Sequence, residues 1–322
     1  MGNPLQKNVM VSVDGSEQAL EVVRYAANTV PREAVSLVLL HIMTKVPESF
    51  LDLQRQPTFH YRIADIKEWE LQQEKAIQDF MAQACEVLFA AGIPEKSVKV
   101  RIEERRVGIA RDIIAASQSG YDTVVVGRRG LSELKDWVLG SIANKLVEKL
   151  VHVPVWIVGS GQQRGKFMVA LDASEGAMLA VDYVAKALGG LPAIEVTLFH
   201  VVRGFDIFHP IVEKPSSPTP DRMWRESLEK ELEEAGRGIE PVFAEATKRL
   251  LMAGLAPARI NEKVVKGPGS PAGAILEEAE KGDYDTIVVG RRGLSRVQEF
   301  FIGRVSNKII QLAKDKTVWV VS

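Results

Sequence analysis

Short apolar runs rich in valine and isoleucine recur along the chain, separated by stretches in which apolar residues return every three or four positions. The runs at about 7–13, 35–42, 98–104, 122–127 and 154–158 predict strands in the first half. Most are nearly continuous rather than alternating, which suits a parallel sheet covered on both faces. Between the second and third runs, the stretch from Ile66 to Ala91 places Ile77, Phe80, Met81, Ala84 and Leu88 on one helical face, predicting a long helix laid on the sheet. Cys85 falls at the edge of that stripe and reads as core packing. Strands alternating with helices are the mark of β-α-β units, so the fold class is α/β with a doubly wound parallel sheet.

The pattern occurs twice. "VMVSVDGSEQALEVVRYAA" from Val9 matches "FMVALDASEGAMLAVDYVA" from Phe167, and "LVLLHIM" from Leu37 matches "VTLFHVV" from Val196. "GYDTVVVGRRGLS" from Gly120 matches "DYDTIVVGRRGLS" from Asp283. The offset grows from 158 to 163, so small insertions lie between His200 and Tyr284. The polar stretch "GSGQQRGK" at 159–166 reads as a linker, giving two tandem domains at 1–160 and 166–322. In the second half the long helix meets "AGRGIEP", whose glycines and proline predict a break around Gly236 to Pro241. The proline-bearing connections "TKVPESFLDLQRQPTFHYR" and "RGFDIFHPIVEKPSSPTPD" follow the second strand of each copy; their length fits a lid, a partner surface or a mobile loop.

With 322 residues, 46% apolar and 26% charged, the chain is large enough for two cores. A formal net charge of -1 supplies no drive toward nucleic acid or an anionic membrane, so neither is expected as a partner. One cysteine excludes an intrachain disulfide framework and fits a reducing, cytoplasmic setting. No stretch approaches the length of a membrane span, the N-terminus lacks a secretory pattern, and Met1-Gly2 with Gln6 does not meet the myristoylation pattern.

The chemistry concentrates at one place in each copy. In a doubly wound sheet of order 3-2-1-4-5, ligands bind beyond the carboxyl ends of strands one and four, where the winding reverses. Strand one ends toward Asp14 in "VSVDGS", and strand four ends toward Gly127 in "VVVGRRG". Gly127, Arg128, Arg129 and Gly130 are followed, after nine intervening residues, by Gly140 and Ser141, opening the helix "SIANKLVEKL". Glycines let the backbone approach an anion, and a helix start offers unpaired N-H donors with a favourable dipole. The Ser141 hydroxyl adds a donor.

This spacing of Gly, two residues, Gly, nine residues, Gly, then Ser or Thr resembles the nucleotide-binding members of the universal stress protein family. The resemblance covers nearly the whole chain, in both halves. It implies two tandem Rossmann-like domains of the adenine nucleotide alpha hydrolase-like type, forming an internal pseudo-dimer through the last strands "VPVWIVGS" and "KTVWVVS". It implies ATP, ADP or AMP as ligand, with Mg2+ accompanying the phosphates. Asp14 would contact the nucleotide, Ile42 would line the adenine pocket, and Val126, Gly127, Arg129, Gly130, Gly140, Ser141 and Ile142 would hold ribose and phosphates. The second copy keeps Asp172, Val289, Gly290, Gly293 and Gly303 but carries Arg304 in the hydroxyl position. An arginine there either pairs with phosphate or fills the pocket.

Plainer readings stand beside these. The glycines serve tight turns, Asp14 forms an Asx turn before a helix capped by Ser16, and the Arg128-Arg129 and Arg291-Arg292 pairs are solvated loop residues. His41 and His200 recur at the end of strand two and read as structural, since no metal-ligand spacing accompanies them. "GPGSPAG" from Gly267 reads as a loop into a helix, and Trp69 and Trp224 as packing or interface residues. Three functions follow: a nucleotide-responsive regulatory or protective protein, a nucleotide-free interaction scaffold, and a slow ATP hydrolase. Against the third, only Glu133 and Asp136 fall within the glycine loop as candidate bases. A homodimer and a protein partner remain open.

Overall fold

A computed structural model of the chain describes residues 7–45, 60–130, 139–191, 193–203, 236–267, 270–293 and 302–322. The long connections after the second strand of each copy lie largely outside the described residues, as do Glu133, Asp136 and Trp224. The chain divides into two compact units, the break along the sequence falling between Val158 and Gly159.

Unit one runs β1 (Lys7–Ser12), α1 (Glu17–Thr29), β2 (Val35–Met43), α2 (His60–Ala90), β3 (Val98–Glu104), α3 (Ile109–Ser117), β4 (Thr123–Gly127), α4 (Ser141–Lys149) and β5 (Val155–Val158). Its strands lie in the order β3-β2-β1-β4-β5, and every pairing is parallel. The chain winds outward from β1 to β3, then crosses back to β4 and β5 on the other side. Right-handed crossovers therefore bring α1 and α2 together, and α3 and α4 together, on opposite faces. β1 is central, so Val9, Met10 and Val11 are buried on both faces, which explains why it reads as an unbroken apolar run. β3 is an edge strand and alternates less cleanly, with Lys99 and Glu104 exposed.

All five residues of the α2 stripe, Ile77, Phe80, Met81, Ala84 and Leu88, are buried, and Cys85 lies half-buried beside them. The helix begins at His60, six residues before the start at Ile66 that the sequence predicts. Tyr25 of α1 stands edge-on to Trp156 of β5, ring centres 5.9 Å apart, closing the core at that end.

Unit two repeats the arrangement: β6 (Lys166–Ala170), α5 (Glu175–Leu188), β7 (Glu195–Arg203), α6 (Glu240–Met252), β8 (Ile260–Gly267), α7 (Pro271–Lys281), β9 (Thr286–Gly290), α8 (Arg304–Leu312) and β10 (Thr317–Val321). Its order is β8-β7-β6-β9-β10. α6 starts at Glu240 with Pro241 in its first turn, directly after a turn at Gly238 and Ile239, which is the expected break. Trp319 is fully buried between Phe167 and Tyr183, both edge-on.

The stretch read as a linker departs from that reading. Gly159 N-H donates to Thr317 Oγ1 at 3.2 Å, Gly161 N-H to Asp315 O at 2.9 Å, and Arg164 N-H to Asp285 Oδ2 at 2.5 Å. These partners all belong to unit two, so the exposed, polar segment is fastened to that unit as a strap. Its composition resembles a flexible linker, but its backbone donors are spent on unit two's acceptors.

Candidate functional site

The carboxyl ends of β1 and β4 are adjacent, Ser12 standing in register with Val126. Beyond β1 the chain must turn sharply into α1. Gly15 makes that turn with φ +85°, a conformation that favours glycine; a Cβ there would also push the Ile77 Cδ1 methyl, 2.6 Å away, aside. Asp14 Oδ1 accepts from Ser16 N-H at 3.1 Å and from Ser16 Oγ-H at 2.7 Å. Ser16 Oγ in turn accepts from Ala19 N-H at 3.2 Å and caps α1. The Asx turn and cap are therefore real. They orient the carboxylate so that Oδ2 faces the glycine loop, where a Cβ on Gly130 would come within 2.5 Å of it.

Beyond β4, Arg128 N-H donates to Val158 O and Gly140 N-H to Arg128 O, both at 2.9 Å. These bonds fold the loop back on the sheet and bring Gly140 to the start of α4, whose first residue, Ser141, is exposed. Arg128 is buried at 3% exposure, as is Arg291 in the second copy, which corrects the reading of these two as solvated. Burial, reinforced by the like charge of Arg292, holds the Arg291 guanidinium below its ordinary pKa. Arg129 and Arg292 instead border the cavities.

Asp14, Ile42, Val126, Gly127, Arg129, Gly130, Gly140, Ser141 and Ile142 all border a single cavity of about 480 Å³. That volume lies within the roughly 300–1,000 Å³ of small-molecule sites. Among the described residues its wall is charged at one carboxylate, Asp14, and one guanidinium, Arg129. His41 borders it too, buried, with Nδ1 2.9 Å from Val13 O. A carbonyl only accepts, so Nδ1 carries the hydrogen and Nε2 keeps its lone pair. Burial lowers the His41 pKa below the ordinary 6.5, outweighing the Val13 bond and the Asp14 charge that pull it up. His41 thus has the structural bond expected of it and also forms part of the wall.

Sequence reasoning missed Met43, Thr44, Trp69, Gln73, Ile109 and Ile113 as cavity residues. Trp69, Gln73 and Ile77 follow one another at four-residue steps, presenting one stripe of α2 to the cavity. The signal was present in that periodicity: Trp69 extends the buried stripe outward, and at 47% exposure it is a large aromatic only half covered.

Unit two has the matching crevice, about 580 Å³, bordered by Asp172, Val289, Gly290, Gly293, Gly303 and Arg304. Asp172 Oδ1 accepts from Ser174 N-H at 3.0 Å and from its hydroxyl, and Ser174 caps α5. A Cβ on Gly293 would stand 2.7 Å from Asp172 Oδ2, repeating the Gly130 arrangement. Ser306 Oγ-H donates to Gly290 O at 2.8 Å. Arg304 is exposed, so the arginine does not fill the crevice. His200 Nδ1 lies 2.7 Å from Leu171 O, as His41 does to Val13. In "GPGSPAG", Ser270 accepts from Gly273 N-H and caps α7, the loop-into-helix role expected. Among the described residues no group of three or more His, Cys, Asp or Glu side chains is placed to hold a metal.

Fold and crevices together define a tandem α/β protein with a ligand-sized opening at the switch point of each unit. The universal stress protein family model matches residues 6–159 and again 163–322, and the chain belongs to that family. It is 27% identical over 316 residues to a universal stress protein of Mycolicibacterium smegmatis, covering 95% of this chain and 94% of that one. It is 26% identical over 163 residues to the universal stress protein YxiE of Bacillus subtilis, covering 47% of this chain and 97% of that one. Among solved structures, a universal stress protein from Archaeoglobus fulgidus superposes with a TM-score of 0.57 at 21% identity, covering 98% of both chains. No helix among the described residues is long and apolar enough to cross a membrane.

Proposed function

We propose that the chain binds an adenine nucleotide, ATP or its lower phosphates, in the unit-one cavity, and serves as a nucleotide-responsive regulatory or protective protein in a reducing, cytoplasmic compartment. The observation that carries this reading is the convergence of Asp14, the four-residue Gly127–Gly130 turn, Gly140 and Ser141 on one crevice at the winding reversal. The apolar end, with Ile42, Ile109 and Ile113, suits a base; the glycine end suits phosphates. Magnesium would ride on the phosphates, with Asp14 and Ser141 supplying the nearest protein oxygens, since a hard cation that keeps several waters needs few protein ligands. Hydrolysis is slow at most: Asp14 is the one carboxylate among the described residues of the wall, and its Oδ1 is held by two donors from Ser16. The response to nucleotide lies in the segment from Arg128 to Leu139, much of it outside the described residues, which spans between the two phosphate-facing glycine positions.

The test is to denature the purified chain and identify any released nucleotide by chromatography, quantified per chain, for the wild type and for Gly140→Ala/Ser141→Ala. Adenine nucleotide in the wild type at about one or more per chain, reduced in the double variant, supports the reading. No nucleotide released, and none bound on adding ATP with magnesium, overturns it in favour of an interaction scaffold.

A further inference from the structure

The two crevices share their construction and differ in charge. Among the described residues, unit one's wall carries one carboxylate and one guanidinium, Asp14 and Arg129, and unit two's carries one carboxylate and two guanidiniums, Asp172, Arg292 and Arg304. The added charge sits where unit one has the uncharged Ser141. Arg304 is exposed at the rim of the crevice, and among the described residues its side chain makes no ion pair or hydrogen bond. An arginine fork with no acceptor among the described residues, on the wall of a 580 Å³ cavity, can take an anion from solvent. The same helix places Lys308 one turn on, its Nζ 3.2 Å from Ser270 Oγ, which caps α7 directly before the cavity residue Pro271.

From this juxtaposition we infer that unit two binds the polyphosphate of a nucleotide without a divalent cation, Arg304 supplying the positive charge that magnesium would supply in unit one. A guanidinium offers a fixed charge and two parallel N-H donors to phosphate oxygens, whereas a serine hydroxyl offers one donor and no charge, leaving neutralisation to a bound cation. The two sites then differ in what they report. Unit one responds to the magnesium complex, and unit two to the metal-free form. This rests on the nucleotide reading of unit one for its ligand, but the anion chemistry of Arg304 is separable from it.

The experiment is isothermal titration of the full chain with ATP, in magnesium and in EDTA, for the wild type, Arg304→Ser and Ser141→Arg. Removing magnesium should leave one site per chain in the wild type. Arg304→Ser should lose that EDTA-resistant site by about ten-fold or more in affinity, and Ser141→Arg should gain a second one, the scale of a charge-assisted bidentate contact. Both positions are exposed, and matched thermal midpoints would confirm that the variants fold. An EDTA-resistant affinity unchanged by Arg304→Ser, or no EDTA-resistant site at all, overturns the inference. Failure of the nucleotide reading shows differently: ATP binds neither unit. Inorganic tripolyphosphate in EDTA then decides, since binding that Arg304→Ser abolishes upholds the arginine's role, and no binding removes it.

Discussion

Gly130 shows how one hydrogen in place of a side chain determines a site. A Cβ at Gly130 would stand 2.5 Å from Asp14 Oδ2, so a side chain there displaces the carboxylate from its place beside the loop. Gly130→Val should therefore push the carboxylate or the loop aside and lower adenine nucleotide affinity by roughly ten-fold or more, read by titration calorimetry, with the secondary structure by circular dichroism unchanged. His41 makes a pH prediction of definite sign. Its folded pKa lies below 6.5 because burial opposes the imidazolium, so the unfolded chain binds the proton first as pH falls. Its contribution to stability is complete above about pH 6.5 and is lost progressively as pH drops toward the folded value. NMR should find the His41 ring neutral at pH 6.5, and urea midpoints should decline below that point, less so in a His41→Gln chain. An imidazole titrating at or above 6.5 would contradict this account.

At the scale of an element, α2 does two jobs along one stripe. Its C-terminal half is anchored by Ala84 and Leu88, both fully buried, while Gln73 and the half-exposed Trp69 reach the cavity wall. Truncating each end should separate the jobs. Leu88→Ala leaves a cavity in the core and should cost about 2–5 kcal/mol in denaturant unfolding, with any bound-ligand affinity changed only indirectly. Trp69→Ala gives up only the covered half of its side chain and should lower the unfolding midpoint less than Leu88→Ala does, yet weaken nucleotide binding by about five-fold or more, since stacking an aromatic on a base is worth roughly 1–3 kcal/mol. Quenching of tryptophan fluorescence on adding ATP to the wild type, absent in the variant, would locate the contact; equal affinity in both would leave Trp69 as a surface residue. The periodicity of α2 was legible, since Ile77, Phe80, Met81, Ala84 and Leu88 form one face in any helix. Its start was not, because "HYRIAD" mixes polar and apolar residues and gives no clear boundary signal.

Across the whole molecule the two units are built to one plan, and the segment between Val158 and Lys166 is the place where flexibility would be expected. We propose domains at 1–160 and 166–322, with the intervening strap belonging structurally to the second. Trypsin offers a direct measure. Arg164 is exposed, but its N-H is held by Asp285 and its guanidinium by Asp283 at 2.7 Å. Cleavage after Arg164 should be slow in the native protein and accelerate by roughly ten-fold in Asp285→Ala, which frees the backbone donors of Arg164 and Lys166, followed by the appearance of two fragments near half length. Fast cleavage of the wild type at that bond would restore the flexible-linker reading.

The sequence by itself determined the repeat, the α/β class, the five strand positions of unit one and the spacing of the glycine loop, because apolar periodicity and glycine placement are local properties that need no partner to be seen. Even the strand order follows, since right-handed crossovers leave few alternatives. Only the tertiary structure decided which side chains from distant elements share a wall. Trp69 and Ile113 lie on helices far apart in sequence, and the winding of the sheet brings both to the crevice. It likewise buried Arg128 and Arg291, which read as solvated loop residues, and tied a linker-like strap to Thr317, Asp315 and Asp285. These depend on long-range packing and on where each backbone donor finds its acceptor, and neither quantity is written in a local pattern.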